Sequence, residues 1–266
     1  MSATGTPPRS LILLLVAFHP SEQEVHCLAK CLRALPATIG YAVVVNDYRP
    51  GEPVDLLAQN ADHWLCNSDN PGYGTAVNRL VKTLPNIPEY LGVLNTDIQW
   101  NDGTFVMMMS WMDQNPDVVL VAPRILDPSG NEQKLCKRNP TVLGLLSRRF
   151  IPNWIKPGWL RRYDRWYVMA DYSYDDQFDV PYLSGCCMLM QSNPFLEVGG
   201  FDEHFFLYLE DADLTREMSS LGRCQHFSGA SVTHSWGRGN YKNLRLMLVN
   251  FQSAWIYFCK WGWKFW

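Results

Sequence analysis

Acidic and amide side chains stand directly after two of the apolar segments in the sequence. Asn46 and Asp47 follow residues 41–45, and Asn95 and Asp97 lie at the end of a second apolar segment. Asp97 has apolar neighbours on both sides, so its carboxylate needs a partner once it is buried. A divalent cation that joins Asp97 to a diphosphate would provide that partner. An ordinary turn-forming aspartate is the alternative for Asp47.

A second acidic segment contains three carboxylates within four residues, at Glu210, Asp211 and Asp213. Carboxylates in the first turn of a helix are stabilised by the helix dipole, which would explain the cluster without any chemistry. Aromatic and apolar residues occupy positions 205–208 just before it and would shield it partly from water. A partly shielded carboxylate can have a pKa suited to a general base.

Glycines and one histidine complete the set of residues that these patterns single out. Gly199 and Gly200 predict a tight turn with a close approach of the backbone, and Gly185 belongs to the same group of glycines. His234, taken alone, is more typical of a hydrogen-bonded loop histidine than of a metal ligand.

The elements that must position these residues alternate between strand and helix. Ser21 and Glu24 form a capping box that predicts a helix directly after the first apolar run. The predicted strands cover residues 11–18, 41–45, 62–66, 90–94 and 182–190, and further helices follow the loop 70–74 and cover 210–220. This alternation predicts an α/β fold with a doubly wound, mostly parallel sheet and helices on both faces. Ligands bind at the carboxyl ends of such strands, where the polar residues after the apolar segments lie.

Composition and charge exclude several classes of protein. The chain has 266 residues, of which 47% are hydrophobic and 18% charged, so there is ample material for a core. The formal net charge is −3, and we therefore expect no nucleic acid as a partner. No segment reaches the roughly 18 apolar residues that cross a bilayer. The eight cysteines contain no CxxC pair, which indicates core thiols and a reducing cytosol.

The charge is distributed unevenly along the chain. Residues 218–266 contain six basic residues, five tryptophans and no acid. The segment 241–266 is therefore predicted to be a basic, aromatic, amphipathic helical tail at a membrane interface. The alternative is a helix that packs on the domain or on a second copy of the chain. Residues 134–165 hold nine basic residues and one acid without clean periodicity, which predicts a surface excursion.

Eight features of the sequence occur in the order found in one known family. They are VVVND at 43–47, NPGYGTAVN at 70–78, VLNTD at 93–97, VAPRILDPSG at 121–130, GCCMLM at 185–190, VGGFDEHFF at 198–206, EDADLTR at 210–216 and the late His234. Together they resemble the family-2 glycosyltransferases of the GT-A fold, in particular the rhamnosyltransferase-like branch that builds bacterial surface polysaccharides. The resemblance covers about residues 11 to 240.

This resemblance implies inverting transfer of a sugar from a nucleotide-diphosphate donor. Asp97 matches the last acid of the family's DxD-type motif, which holds Mn²⁺ or Mg²⁺, and His234 matches a histidine that contacts metal or diphosphate in some members. Asp211 matches the general base. The substrate-binding residues expected from the resemblance are Asn46 or Asp47 at the nucleoside, Asn78 in the same pocket, Gly185 beneath the donor sugar, Asn95 and Glu210.

The expected organisation is a GT-A domain at 1–240 followed by the tail at 241–266. The expected donor is a dTDP- or UDP-sugar, and the acceptor is a glycan, such as a polyprenyl-diphosphate glycan or a lipopolysaccharide intermediate. We expect a cytoplasmic protein at the inner face of the plasma membrane, with a second copy as a candidate partner. A dehydrogenase is excluded because the third glycine of a GxGxxG motif would fall at Val77. A non-catalytic nucleotide-sugar or glycan-binding module with the same fold remains the alternative.

Overall fold

One mixed sheet forms the centre of the protein. The structure is a computed structural model that describes residues 9–235 and 244–266. In chain order the strands are β1 (Leu11–Ala17), β2 (Ile39–Val45), β3 (His63–Cys66), β4 (Tyr90–Asn95), β5 (Ile98–Trp100), β6 (Val118–Leu126), β7 (Phe178–Asp179), β8 (Cys187–Gln191) and β9 (Arg223–His234). The order across the sheet is β3-β2-β1-β4-β8-β6-β9-β5, and β7 pairs with β9.

The sheet is parallel in one half and mixed in the other. The strands β3, β2, β1 and β4 run parallel, as the alternation of strands and helices predicts. The strand β8 then lies antiparallel between β4 and β6, and β9 is parallel to β6 but antiparallel to β5 and β7. The expected α/β sheet is thus confirmed, except that β8 runs opposite to its neighbours. The direction of this strand follows from the long connection that precedes it and from the strands with which it pairs.

Helices cover both faces of the sheet. They are α1 (Glu22–Arg33), α2 (Tyr73–Thr83), α3 (Thr104–Gln114), α4 (Val142–Phe150), α5 (Gly158–Tyr167), α6 (Ser192–Glu197), α7 (Glu210–Met218) and α8 (Leu244–Trp261), with a 3-10 helix at Pro53–Asn60. The predicted capping box is present at Ser21 and Glu24. Successive residues of β1 pack alternately into the core on the α1 side and the core on the α2 side. Burial on both faces explains why the strand is a continuous apolar run.

The segment 134–165, expected to be a surface excursion without clean periodicity, contains two helices, α4 and most of α5. Thr141 caps α4 by accepting a hydrogen bond from the amide of Gly144. Asp164 of α5 accepts a hydrogen bond of 2.6 Å from Ser147 of α4 and pairs with the buried Lys156. Long-range partners therefore stabilise helices that sequence periodicity alone does not reveal.

Two predicted elements end at different residues from those expected. The strand expected over 182–190 is confined to β8, because the segment before it leaves the sheet. Within that segment, Tyr182 bridges Lys137, and the amide of Leu183 donates to the hydroxyl of Thr215. The helix expected over 210–220 ends at Met218.

One face of α8 packs on the rest of the protein. Tyr257 and Phe258 join a buried cluster with Phe205 and Leu209. This face therefore agrees with the alternative expectation of a tail that packs on the domain. Other apolar side chains of α8, among them Leu248 and Trp255, are exposed. The expected boundary at residues 240–241 lies outside the described residues. Within residues 9–235 and 244–266, no helix combines the length and apolarity needed to cross a bilayer.

Candidate active site

The pairing of β5 with β9 brings Asp97 and His234 together. Asp97 lies in the turn between β4 and β5, and Ile98 is the register partner of His234 at the end of β9. The imidazole Nε2 of His234 is 3.3 Å from Oδ2 of Asp97, and the amide of Ser235 donates to the Asp97 carbonyl. Two residues that are 137 positions apart in the sequence thus form one polar pair at the sheet edge.

This pair has the chemistry of a cation site. Oδ1 of Asp97 is buried and has no hydrogen-bond partner among the described residues. The side-chain amide of Gln133 donates to the carbonyl of His234, so the Gln133 oxygen faces Nδ1 at 3.2 Å and accepts its proton. With Nδ1 as the donor, Nε2 of a neutral His234 presents its lone pair toward Asp97 Oδ2, so the two groups could bind one metal ion together. Within the described ranges no cluster of three or more His, Cys, Asp or Glu side chains is assembled for a metal. The pair would therefore contribute two ligands and leave the other positions to phosphate or water oxygens.

A second polar group forms where β1 and β2 end. The Nε2 atom of His19 is hydrogen-bonded to Asp47 at 2.9 Å, and its Nδ1 atom is hydrogen-bonded to Glu52 at 2.8 Å. These two carboxylates raise the pKa of His19, and the imidazole in turn lowers the pKa of Asp47. The side chain of Asp47 is 39% exposed at the edge of the sheet, where it can contact a ligand.

Asn46 has a different position from its neighbour Asp47. It is buried, and its carbonyl oxygen accepts a hydrogen bond of 2.8 Å from Asn67. Its amide donates to Asn70, whose oxygen also accepts from the amide of Gly72. Of the two residues left open by the sequence, Asp47 therefore faces outward and Asn46 positions the loop before α2.

Asn78 lies away from this edge, on α2. Its amide nitrogen donates to the carbonyl of Phe201 at 2.7 Å, and its oxygen accepts from the amide of Phe201 at 3.0 Å. A Cβ at Gly200 would come within 2.4 Å of this oxygen. Asn78 therefore holds the glycine turn in place, and its expected part in a nucleoside pocket stays a prediction.

The start of α7 presents Glu210 and Asp211 from a constrained backbone. Tyr208 and Leu209 precede them with φ angles of 71° and 66°, in the left-handed region that non-glycine residues rarely adopt. His19 and Asp47 share this conformation. Among the residues that the structure describes, the strained non-glycine positions thus concentrate near the candidate site, as is common where strain serves function.

Glu210 and Asp211 have contrasting environments. Asp211 accepts hydrogen bonds of 2.9 Å from the amides of Gly185 and Ala212, one on each oxygen. Glu210 is buried, and its Oε2 has no partner in the described part of the chain. Burial, together with the charge of Asp211, raises the pKa of Glu210 to about 8. The structure therefore holds an oriented carboxylate next to a carboxyl group that keeps its proton at neutral pH.

Gly185 connects Asp211 to the Asp97 side of the site. A Cβ at Gly185 would lie 3.1 Å from Cβ of Asp211, so the missing side chain makes room for Asp211. The next residue, Cys186, accepts a hydrogen bond of 3.0 Å on its carbonyl from the amide of Asn95. Burial raises the pKa of the Cys186 thiol to about 12, and both Asp97 and Asp211 add to this shift. Asp211 and the loop that carries Asp97 are therefore hydrogen-bonded to adjacent residues, Gly185 and Cys186.

A cavity of about 250 Å³ adjoins Asp97. Its lining includes Ser21 and Glu24 at the start of α1, together with Thr96 and Ser235. Asp211 and Asp47 do not line this cavity, which is therefore a compartment on the Asp97 side of the candidate site.

Sequence comparison finds glycosyltransferases as relatives. No protein-family model matches the chain. It is 26% identical to an N-acetylglucosaminyl-diphospho-decaprenol L-rhamnosyltransferase of Mycobacterium tuberculosis, over 92% of this chain and 86% of that protein. It is also 22% identical to a low-salt glycan biosynthesis hexosyltransferase of Haloferax volcanii, over 80% of this chain and 64% of the relative.

Comparison with solved structures shows the same fold. A mannosyltransferase of Pyrobaculum calidifontis, solved with GDP-Man and Mn²⁺, has a TM-score of 0.63 at 12% identity and covers 96% of this chain and 64% of its own. The S. aureus protein TarS (residues 1–349) has a TM-score of 0.58 at 13% identity, over 85% of this chain and 60% of its own. The chain is a glycosyltransferase with the GT-A fold. Within that class it is similar to the rhamnosyltransferase-like branch, which confirms the resemblance drawn from the sequence motifs.

Proposed function

We propose that this protein is an inverting glycosyltransferase that transfers a sugar from a nucleotide-diphosphate donor to a hydroxyl of a lipid-linked glycan. One observation carries the proposal: Asp211 is hydrogen-bonded to Gly185, and the loop that carries Asp97 is hydrogen-bonded through Asn95 to the next residue, Cys186. The curated relative that matches 92% of the chain is named for the transfer of rhamnose to a diphospho-decaprenol acceptor.

Asp211 is the proposed general base. It removes the proton from the acceptor hydroxyl as the hydroxyl oxygen forms a bond to the anomeric carbon. The bond from that carbon to the donor diphosphate breaks in the same step, and the diphosphate leaves from the opposite face. The amides of Gly185 and Ala212 hold the carboxylate in one orientation, and this restricts which hydroxyl it can reach.

Asp97 and His234 are the proposed protein ligands of a divalent cation, Mn²⁺ or Mg²⁺. The unpartnered Oδ1 of Asp97 and the Nε2 lone pair of His234 fit this role. When bound, such a cation neutralises charge that develops on the leaving diphosphate. Gln133 keeps the imidazole in the tautomer that can bind it.

Asp47 is the proposed contact for the nucleoside of the donor. A carboxylate at the end of β2 can accept a hydrogen bond from the imide N–H of uracil or thymine, which both candidate donors share. His19 and Glu52 fix its position. We therefore propose a dTDP- or UDP-sugar as the donor.

An exposed aromatic surface is the proposed contact with the membrane that carries the acceptor. The rings of Phe150 on α4 and Phe251 on α8 stack at 5.8 Å, and the amide of Val142 bonds the carbonyl of Lys264. The exposed apolar side chains of this aromatic surface are Leu146, Phe150, Leu248, Phe251, Trp255 and Trp266. Basic residues outnumber acids in both segments that build it, which favours an anionic leaflet. We propose peripheral binding to the inner face of the plasma membrane.

Vesicle sedimentation tests this surface. At low salt, we expect the protein to sediment with vesicles rich in phosphatidylglycerol, and Trp255→Ser to reduce the bound fraction strongly. The matched control is Val106→Ser, since Val106 is an exposed apolar residue of α3. Equal binding by the two variants, or no binding by the native protein, would contradict the proposal.

Donor turnover tests the catalytic proposal directly. A panel of nucleotide sugars is screened by thermal shift with and without Mn²⁺, and each stabilising donor is then assayed for transfer and slow hydrolysis. We expect one donor to bind in a cation-dependent way and to be turned over. A donor that binds without any turnover would favour the non-catalytic binding module instead.

A further inference from the structure

A half-buried lysine lies beside the proposed general base. Lys137 pairs with Tyr182 through an isolated bridge, and its Nζ is 4.2 Å from the centre of the Tyr182 ring. The charge of Asp211 acts on both residues, since it favours the charged form of Lys137 and opposes ionisation of Tyr182. The Tyr182 ring packs in the buried cluster that contains Ala212, the residue after Asp211, so the lysine that it contacts lies in the neighbourhood of Asp211.

Arg148 of α4 adds a second cation near this position. Its guanidinium is 5.9 Å from the centre of the Tyr167 ring, and, in addition to burial, its positive charge disfavours the protonated form of Lys137 and lowers the pKa of that lysine. Tyr167 is 1% exposed, and its hydroxyl has no hydrogen-bond partner among the described residues. The backbone amide of Arg138, the residue after Lys137, donates to the carbonyl of Tyr167 at 2.9 Å, so Tyr167 lies close to the segment that carries Lys137.

Nine other lysines and arginines in the described part of the chain form ion pairs with carboxylates, whereas these two cations do not. In the part of the chain that the structure describes, no carboxylate lies within ion-pair distance of Lys137 or Arg148. Burial outweighs the attraction of Asp211 and lowers the pKa of Lys137. Asp211 is the carboxylate whose charge favours the protonated form of Lys137, and burial opposes ionisation of its neighbour Glu210. The group is therefore suited to bind an anion.

We propose that Lys137, Arg148 and the Tyr167 hydroxyl bind the diphosphate of the lipid-linked acceptor. This inference rests on the proposed function. The donor diphosphate belongs beside Asp97 and His234, and in an inverting transfer the acceptor approaches from the other side, where Asp211 lies. An acceptor diphosphate held there keeps the first sugar within reach of Asp211.

The position of Arg148 also connects this site to the aromatic surface. Leu146 and Phe150 are exposed on the same helix, on either side of Arg148 in sequence. A diphosphate bound at the cations can therefore continue into a lipid chain along α4. A free glycan without a phosphate would make no use of this arrangement.

Calorimetric binding of geranyl diphosphate tests the proposal. The protein is first saturated with Mn²⁺ and a nucleoside diphosphate, so that the donor site is occupied. We expect geranyl diphosphate to bind and geraniol to bind far more weakly. Either Lys137→Gln or Arg148→Gln should reduce the affinity for geranyl diphosphate by about 10- to 100-fold. Lys137→Arg is expected to retain most of the affinity, and Arg162→Gln, an exposed position on α5, serves as the matched control.

The outcomes separate this inference from the proposed function. Unchanged binding of geranyl diphosphate in both glutamine variants would overturn the inference, as would equal binding of geraniol. A parallel loss of nucleoside diphosphate affinity would also overturn it, because the cations would then serve the donor. If no nucleotide binds to the native protein, the proposed function itself fails. Arg148 is exposed, so Arg148→Gln keeps the test valid even if a Lys137 variant does not fold.

Discussion

Replacing Glu210 with glutamine tests whether this buried carboxyl group is protonated in the folded protein at neutral pH. Burial and the neighbouring Asp211 raise its pKa from 4.5 to about 8. Between these two values the folded protein holds a proton that the unfolded chain has released. The free energy of unfolding therefore falls as the pH rises, by up to about 1.4 kcal/mol per pH unit. Glutamine has nearly the same shape and no charge at any pH, so the variant lacks this dependence.

The expected magnitude follows from the width of that window. Between pH 5 and pH 7 the native protein should lose up to about 3 kcal/mol relative to Glu210→Gln. Below pH 4.5 residue 210 is uncharged in the native protein and in the variant, both folded and unfolded. The difference between their free energies of unfolding therefore becomes constant. The free energy of unfolding of Glu210→Gln, measured relative to that of the native protein, should therefore be higher at pH 7 than at pH 5.

Urea unfolding at pH 5, 6 and 7 measures this difference. Glu197→Gln is the control, since Glu197 is an exposed glutamate on α6, and its curve should stay parallel to that of the native protein. A gap between native protein and Glu210→Gln that does not change with pH would refute the reasoning. It would mean that Glu210 ionises normally and that Asp211 has no protonated neighbour.

Three further predictions concern the base, the cation and the tail. Asp211→Asn should reduce transfer by about 10²- to 10⁴-fold, measured as kcat, while nucleotide binding stays unchanged. Gln133→Leu should weaken Mn²⁺ binding in the presence of nucleoside diphosphate by about 10- to 100-fold, measured by calorimetry, because His234 loses its tautomer control. Lys260→Met should cost about 3 kcal/mol of unfolding free energy, because Asp213 is 1% exposed and loses its ion pair.

Each of these predictions has a matched control. Asp176→Asn changes an exposed loop aspartate, and Gln114→Leu changes an exposed residue at the end of α3. Lys264→Met removes a charge beyond α8 without touching Asp213. Loss of nucleotide binding in Asp211→Asn, full Mn²⁺ affinity in Gln133→Leu, or equal stability of the two lysine variants would each contradict the corresponding argument.

Sequence reasoning predicted the parallel half of the sheet because that information is local. The apolar runs, the capping box at Ser21 and the polar residues at strand ends all appear within a few positions of one another. It missed α4 and the start of α5, whose stability depends on partners such as Asp164 and Tyr167 rather than on a clean apolar stripe. A strand at β8 was predicted, but its antiparallel direction was not, for a similar reason.

The sequence by itself determined the α/β class and the acidic residues available for catalysis, since side-chain type and hydrophobic period belong to the chain. Tertiary structure decided which of Asn46 and Asp47 faces outward and that Asn78 serves a turn. It also joined Gln133 to His234 across 101 positions and removed Glu210 from water. Hydrogen-bond partners and desolvation depend on groups that are distant in sequence, and both are settled only when the sheet brings those groups together.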